Sequence, residues 1–252
     1  MALLGLVFGL GLAYTLKLFR IDIDPTVALI ITKLPGANCG ACGKAGCSGF
    51  AEALARGEVE PSGCVAATAA SRAAIAEILG KSDTAKTKKI ATVLCNGGKA
   101  AVDKYEYNGI RSCKAASLLF GGYKACSFGC LGLGDCVRAC PFGAMKMSDS
   151  GLPEVDPKKC TACGRCVTAC PKGLIKLLPA DKLYYVKCSS TDPGAIVAKA
   201  CRAGCIACKK CEKACPELAI KVASNLSGID WGKCKNIGKC FEVCPTKVIA
   251  RR

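Results

Sequence analysis

Residues 160–171 read Cys-Thr-Ala-Cys-Gly-Arg-Cys-Val-Thr-Ala-Cys-Pro, a run of Cys160-x2-Cys163-x2-Cys166-x3-Cys170-Pro171. The same spacing returns as Cys205-x2-Cys208-x2-Cys211-x3-Cys215-Pro216. Three thiolates this close can wrap one [4Fe–4S] cubane, while the fourth, released by the proline, reaches a neighbouring cluster. Zinc needs only C-x2-C pairs and gives no reason for the third thiol or the Cys-Pro step. The two runs therefore predict iron–sulfur chemistry.

Working outward, the chain repeats itself. Cys113, Cys126, Cys130, Cys136 and Cys140 recur 75 residues later as Cys188, Cys201, Cys205, Cys211 and Cys215. Cys160, Cys166 and Cys170 recur at an offset of 74 as Cys234, Cys240 and Cys244. The text agrees, since KACSFGC (124–130) matches KACRAGC (199–205). A duplicated module is expected, the first over 91–180 and the second over 181–252.

The other half of each module lacks the middle thiol. Cys130, Leu133, Cys136 and Cys140-Pro141 form one such run, and Cys234, Ile237, Cys240 and Cys244-Pro245 the other. An aliphatic side chain cannot ligate iron. These sites either hold [3Fe–4S] clusters or recruit a distant thiol from Cys95, Cys113, Cys126, Cys188 and Cys201. Cys126 and Cys201 lie closest in sequence. Crossover pairing then predicts Cys140 with Cys160, Cys163 and Cys166, and Cys170 with Cys130, Cys136 and a surplus thiol. Likewise Cys244 goes with Cys205, Cys208 and Cys211, and Cys215 with Cys234, Cys240 and another. Surplus thiols can also be small buried hydrophobes, or can build a further cluster.

Composition narrows the classes. The chain has 252 residues, 23 of them cysteine and none histidine. There is no imidazole for zinc, haem or copper, and no Ser-His or Cys-His couple. One tryptophan and 6% aromatics leave few base-stacking platforms, so the formal charge of +17 is poor evidence for nucleic acid. Each [4Fe–4S]²⁺ cubane with four thiolates carries two negative charges, so five clusters lower the net charge to about +7. The residual positive surface suits an acidic redox partner. Gly132-Leu133-Gly134 sits between cluster ligands, and Gly9-Leu10-Gly11 lies in an apolar segment, so no dinucleotide fingerprint is present.

Ahead of the modules stands a different group, Cys39-x2-Cys42-x4-Cys47-x16-Cys64, set among Gly36, Gly40, Gly43 and Gly46. The glycines permit tight turns around a cluster, although these spacings alone also admit zinc. Helices are expected from Pro25 to Leu34, across Phe50, Ala53 and Leu54 until Gly57, and over 71–80. Residues 81–90 read as a linker. At the start, MALLGLVFGLGLAYTLKLFR (1–20) has no charge before Lys17 and no cleavage signature. As a helix its apolar stretch is roughly 24–28 Å long, just enough to span a bilayer. Lys17, Arg20 and Lys33 place the remainder in the cytoplasm, where disulfides are rare. The expected architecture is α+β: a transmembrane helix (1–20), a small helical [4Fe–4S] domain (21–80), a linker and two ferredoxin-like modules.

The block LPGANCGACGKAGCSGFAEALARGEVEPSGC (34–64), behind an apolar helix and ahead of these modules, resembles the B subunit of the Rnf electron-transport complex. The segments CNGG (95–98), CKAA (113–116) and CSFGCLGLGDCVRACPFGAM (126–145) are similar to the cysteine-rich form found in anaerobes. The resemblance covers nearly the whole chain, though the apolar segment is shorter than the family's usual anchor. It implies a single-pass subunit of the plasma or cell inner membrane, with its Fe–S domains on the cytoplasmic side. Such a subunit takes electrons from soluble reduced ferredoxin and passes them to membrane subunits. The complex, with its NADH-binding subunits, couples ferredoxin:NAD⁺ oxidoreduction to Na⁺ or H⁺ translocation. By the same resemblance Cys39, Cys42, Cys47 and Cys64 hold the membrane-proximal [4Fe–4S] cluster. Five clusters are expected in all, or six, with some [3Fe–4S] at the altered runs. The alternative function is reduction of a small molecule at an open iron site.

Overall fold

A computed structural model describes residues 2–19, 24–81 and 87–252. It divides into two units, Met1–Asn38 with Cys42–Asp83, and Cys39–Ala41 with Thr84–Arg252.

The first unit is helical. Helix α1 (Ala2–Leu18) forms over the apolar start, which carries no charge before Lys17 and whose Thr15 hydroxyl donates back to Leu12 O at 2.9 Å. Its 17 residues extend about 25 Å at 1.5 Å per residue. A bilayer core is about 30 Å thick, and among the described residues no helix is long and apolar enough to cross a membrane. The transmembrane helix expected over 1–20 is thus not confirmed by α1, which ends at Leu18.

Helix α2 (Pro25–Lys33) begins as its sequence dictates: Pro25 occupies the first turn and the Asp24 carboxylate accepts from Thr26 N at 2.7 Å. Helices α3 (Gly46–Ala55) and α4 (Ala69–Ile78) follow. Ile30, Phe50, Leu54 and Ile75 are each fully buried between them. At about 1.5–3 kcal/mol for each such side chain, this small core carries most of the unit's stability.

The second unit contains the repeat, and its strands and the short helices of its thiol loops recur in the same order in the two halves. In the first half, strand β1 (Lys89–Val93) precedes helices α5 (Cys113–Leu118) and α6 (Asp135–Arg138). Hairpin strands β2 (Met145–Met147) and β3 (Pro153–Val155) lead to α7 (Arg165–Ala169) and β4 (Ile175–Pro179). In the second, β5 (Tyr184–Val186) precedes α8 (Gly194–Ala200) and α9 (Lys210–Lys213). Then come β6 (Ile220–Ala223), β7 (Leu226–Ile229), α10 (Lys239–Glu242) and β8 (Ile249–Arg251). The outer strands pair antiparallel, β1 with β4 and β5 with β8, and the inner ones form the hairpins β2–β3 and β6–β7. Lys89 and Ile90, expected in the linker, already belong to β1; linker residues 82–86 lie outside the described residues.

Each half has its own core. Ile90, Val93, Leu174 and Ile175 are buried in the first, and Val186, Ile220, Val248 and Ile249 in the second. Buried cysteines join both cores: Cys95, Cys136, Cys160 and Cys166 in one, beside Ala91, Ala144, Met145 and Leu152, and Cys205 and Cys211 in the other. Thiols therefore take up much of the space that aliphatic side chains occupy in an ordinary domain of this size.

Candidate metal centres

The four thiol loops share one backbone. Gly132 and Gly134, Ala162 and Gly164, Ala207 and Lys209, and Asn236 and Gly238 all take positive φ, between +55° and +89°. This double left-handed step curls each loop so that three successive side chains, at i, i+3 and i+6, converge. In two loops all three are cysteines. In the others Leu133 and Ile237 hold the middle place, and the curl is unchanged. Ala162, Ala207 and Lys209 adopt this conformation without glycine's freedom, so the curl is held by the surrounding structure.

The loops and the Cys-Pro thiols gather around cavities. Cys140, Cys160, Cys163 and Cys166 line one of about 310 Å³. Cys205, Cys208, Cys211 and Cys244 line another, of about 320 Å³. A third, about 410 Å³, is lined by Cys113, Cys130, Cys136 and Cys170. In each, the loop thiols meet a thiol from the other end of the repeat, because the antiparallel strand pairs fold the two loops against each other.

Cys113 completes the third set, where sequence proximity favoured Cys126. It starts α5, in a stretch of the first half that packs Cys113, Ala116 and Leu131 together with Leu133 beside them. Cys126 and Cys201 line a fourth cavity, of about 340 Å³, with Cys95 and Cys188. Cys215, Cys234 and Cys240 remain as neighbours. Burial pushes the Cys240 thiol up to about 11, with Cys215 and Cys234 adding to the shift. Cys201, the nearest candidate in sequence for their fourth partner, is committed elsewhere, and Ile237 in their loop is 48% exposed.

Burial raises other thiols similarly: Cys130 and Cys166 to about 12, Cys126 and Cys136 to about 11. Backbone N–H groups point at several sulfurs. Ala91 N lies 3.5 Å from Cys160 Sγ and Leu174 N 3.4 Å from Cys170 Sγ. Both features suit thiolates that give up protons only to a strongly electrophilic metal.

A single zinc ion draws four sulfurs to about 2.3 Å of one point. Among the described residues no three cysteines or carboxylates are close enough to hold one ion. The thiols instead line shared cavities in sets of four without converging on one point, which fits a polynuclear group. Thr161 Oγ1, beside the first cavity, is buried without a hydrogen-bond partner, as expected for a hydroxyl facing sulfide.

In the first unit, Cys64 is buried in the helical core and Cys42 and Cys47 pack against it. The Asn38 amide oxygen accepts from Cys47 N at 2.7 Å. A Cβ on Gly46 would stand 2.8 Å from that oxygen, so this turn admits only glycine. Lys44 and Arg56 meet Glu58 at 2.9 and 2.7 Å beside it. Cys39 falls in Cys39–Ala41, counted with the second unit.

Known proteins bear on the same segments. Residues 34–66 match the family described as "Putative Fe-S cluster". Residues 125–174 and 204–248 each match the 4Fe-4S dicluster domain. The chain is 43% identical to the B subunit of the Na(+)-translocating ferredoxin:NAD(+) oxidoreductase complex of Acetobacterium woodii, over 98% of this chain and 74% of that one. It is 47% identical to the B subunit of the Proton-translocating ferredoxin:NAD(+) oxidoreductase complex of Clostridium ljungdahlii, over 99% and 89%. The chain belongs to the family of Rnf complex B subunits. The B subunit of an ion-translocating oxidoreductase complex of Methanosarcina acetivorans is 41% identical over 99% of this chain and 95% of its own. As a member of that family, the chain carries 4Fe–4S domains where the thiol cavities lie. The dicluster matches begin at residues 125 and 204, so they leave out Cys95, Cys113, Cys188 and Cys201.

Proposed function

We propose that the chain is an electron-transfer subunit that takes electrons from reduced ferredoxin and passes them to membrane subunits of an Rnf-type complex, in which ferredoxin:NAD⁺ oxidoreduction drives Na⁺ or H⁺ translocation. The names of the two bacterial relatives supply the reaction. The observation in this chain that carries the reading is the ring of four thiols around each of three repeat cavities. A [4Fe–4S] cluster held by four thiolates supplies one-electron chemistry with no change of ligands.

The chain's own residues then have distinct tasks. Cys140, Cys160, Cys163 and Cys166 hold one cluster, Cys205, Cys208, Cys211 and Cys244 a second, and Cys113, Cys130, Cys136 and Cys170 a third. Cys39, Cys42, Cys47 and Cys64 hold the cluster of the helical domain. Cys215, Cys234 and Cys240 hold a three-iron cluster, Ile237 denying it a fourth thiolate. Leu174, Ile175, Val248 and Ile249 exclude water from the inner walls. Lysines around the domains attract an acidic ferredoxin.

Attachment to the membrane falls to α1, which exposes Phe8, Leu10, Leu12 and Leu18 and has no acidic residue. The cluster domains then face the cytoplasm, where ferredoxin is found, and the complex's membrane and NADH-binding subunits complete the path.

The test is anaerobic mixing of the full chain with chemically reduced ferredoxin. The visible absorption of the clusters bleaches if the reading holds. If ferredoxin leaves them oxidised while a small substrate reoxidises dithionite-reduced protein, the exposed three-thiol site is a reductase centre instead.

A further inference from the structure

Three thiols of the fourth cavity, Cys95, Cys188 and Cys201, lie outside both dicluster segments, and the cavity has a symmetry that sequence spacing conceals. Cys95 follows β1 by two residues and Cys188 follows β5 by two. Between strand and thiol, Leu94 N donates to Leu174 O at 2.7 Å, and Lys187 N to Val248 O at 2.7 Å. Each sulfur then accepts from the first cysteine of its own repeat's loop: Cys130 N to Cys95 Sγ at 3.4 Å, and Cys205 N to Cys188 Sγ at 3.4 Å. Cys95 and Cys188 are therefore equivalent positions of the two halves. Cys126 and Cys201 are equivalent as well, each in a KAC-x2-GC segment. All four line one cavity.

We propose that Cys95, Cys126, Cys188 and Cys201 hold a further [4Fe–4S] cluster shared by the two repeats, with two thiolates from each. This rests on the iron–sulfur reading of the other cavities. The donor set is four cysteines, as in theirs, and no carboxylate lines this cavity. The cavity size falls within theirs, at about 340 Å³ against about 310 to 410 Å³. Cys95 and Cys201 are buried, and Cys126 and Cys188 half-buried.

The backbone is cut to fit. Gly97 donates its N–H to Cys95 Sγ at 3.4 Å. A Cβ there would stand 3.2 Å from Ala101 Cβ and 3.3 Å from Cys201 Sγ, with Cys95 Sγ in contact at 3.6 Å, so a side chain would press on Ala101 and the Cys201 sulfur. The halves also meet here through backbone. Val102 N donates to Ala200 O at 2.9 Å and Arg202 N to Ala100 O at 3.2 Å, and Ser189 Oγ donates to Leu94 O at 3.0 Å. Four thiols that merely filled a core would need no equivalent pair from each repeat, no N–H donors and no glycine in contact with two sulfurs. A cluster at this place links the repeats by two iron–thiolate bonds on each side, in addition to these hydrogen bonds and those of the Arg252 side chain to Pro179 O and Thr92 Oγ1.

The test uses the full chain purified anaerobically, with iron and acid-labile sulfide counted per chain and EPR recorded after dithionite reduction. Wild-type protein should contain about 23 iron atoms, against about 19 without this cluster. Cys126→Ser and the double variant C95S/C188S should each lose about four. Cys163→Ser, which alters a cavity of the first repeat alone, is the reference. If Cys163→Ser loses iron and Cys126→Ser retains the full count and spectrum, the shared cluster is absent while the general reading stands. If neither changes the iron content, the general reading fails. Should Cys126→Ser fail to fold, the wild-type count decides: about 19 iron atoms overturns the proposal.

Discussion

Asp135 accepts a hydrogen bond from the Ser112 hydroxyl at 2.9 Å, and a second from Lys114 N at 3.0 Å. These residues flank Cys113, so a carboxylate at the head of α6 ties the start of α5 to the loop that carries Cys130 and Cys136. By this contact a thiol distant in sequence is held at the cavity that Cys130, Cys136 and Cys170 also line. Burial alone pushes the Asp135 carboxyl up. The N–H groups of Lys114 and Cys113, the Ser112 hydroxyl and the Arg138 charge more than offset it, and the pKa lies below the usual carboxylate range.

Asp135→Ala should therefore loosen Cys113 at a cost of about 1 kcal/mol, the scale of a lost helix cap. The cluster bound through Cys130, Cys136 and Cys170 should lose iron, with a three-iron EPR signal growing in the oxidised protein. A lowered pKa makes the carboxylate's contribution full above the unfolded value of about 3.9 and lost as pH falls through the folded one. In wild type this site should thus keep its cluster to a lower pH than in Asp135→Asn, followed by visible absorption during acid titration.

Ile237→Cys should give the terminal loop the third thiol found at Cys163 and Cys208. Ile237 is 48% exposed, so the stability change should stay within about 0.5 kcal/mol. One additional iron per chain is expected, with loss of the three-iron signal. An unchanged signal would mean that the loop does not carry that cluster.

Removal of the metal should unfold most of the second unit. Its two cores contain short strands and few aliphatic side chains beside the thiols, and without cluster bonds the cost of ordering the long loops is uncompensated. Far-UV circular dichroism of the chelated, reduced chain should show mainly coil. Helices α2, α3 and α4, with Phe50 and Leu54 between them, should retain the larger share of whatever signal persists.

The charge balance makes a kinetic prediction. The formal +17 leaves a positive excess after the clusters are counted, so reduction by an acidic ferredoxin should slow as salt is raised. A fall of roughly tenfold between low and half-molar salt is expected in stopped-flow bleaching. Insensitivity to salt would assign docking to apolar contacts instead.

Much of this protein was legible from spacing. Cys-x2-Cys-x2-Cys-x3-Cys-Pro is a local chemical statement: its residues lie close together whatever the remainder of the chain does, so iron–sulfur character and the duplication could be read directly, and Cys140 and Cys244 do line the cavities of the runs with which crossover would pair them. Helix α2 announced itself through Asp24 and Pro25 for the same reason, since a cap is a contact between neighbours.

The destinations of the unpaired thiols were not legible in that way. An offset of 75 matched Cys188 with Cys113, yet strand geometry makes Cys188 the counterpart of Cys95. The first repeat carries an insertion between Cys95 and Cys126, and Cys113 lies inside it. Spacing measures distance along the chain, and an insertion shifts it without moving the strands that set positions in space. The sequence by itself determined that the cysteines recur in a ferredoxin-type spacing, and with it the iron–sulfur character of the two repeats. Only the tertiary structure decided which four thiols share a cavity, because that depends on β1 pairing with β4, β5 with β8, and the two repeats meeting at Ala101 and Cys201.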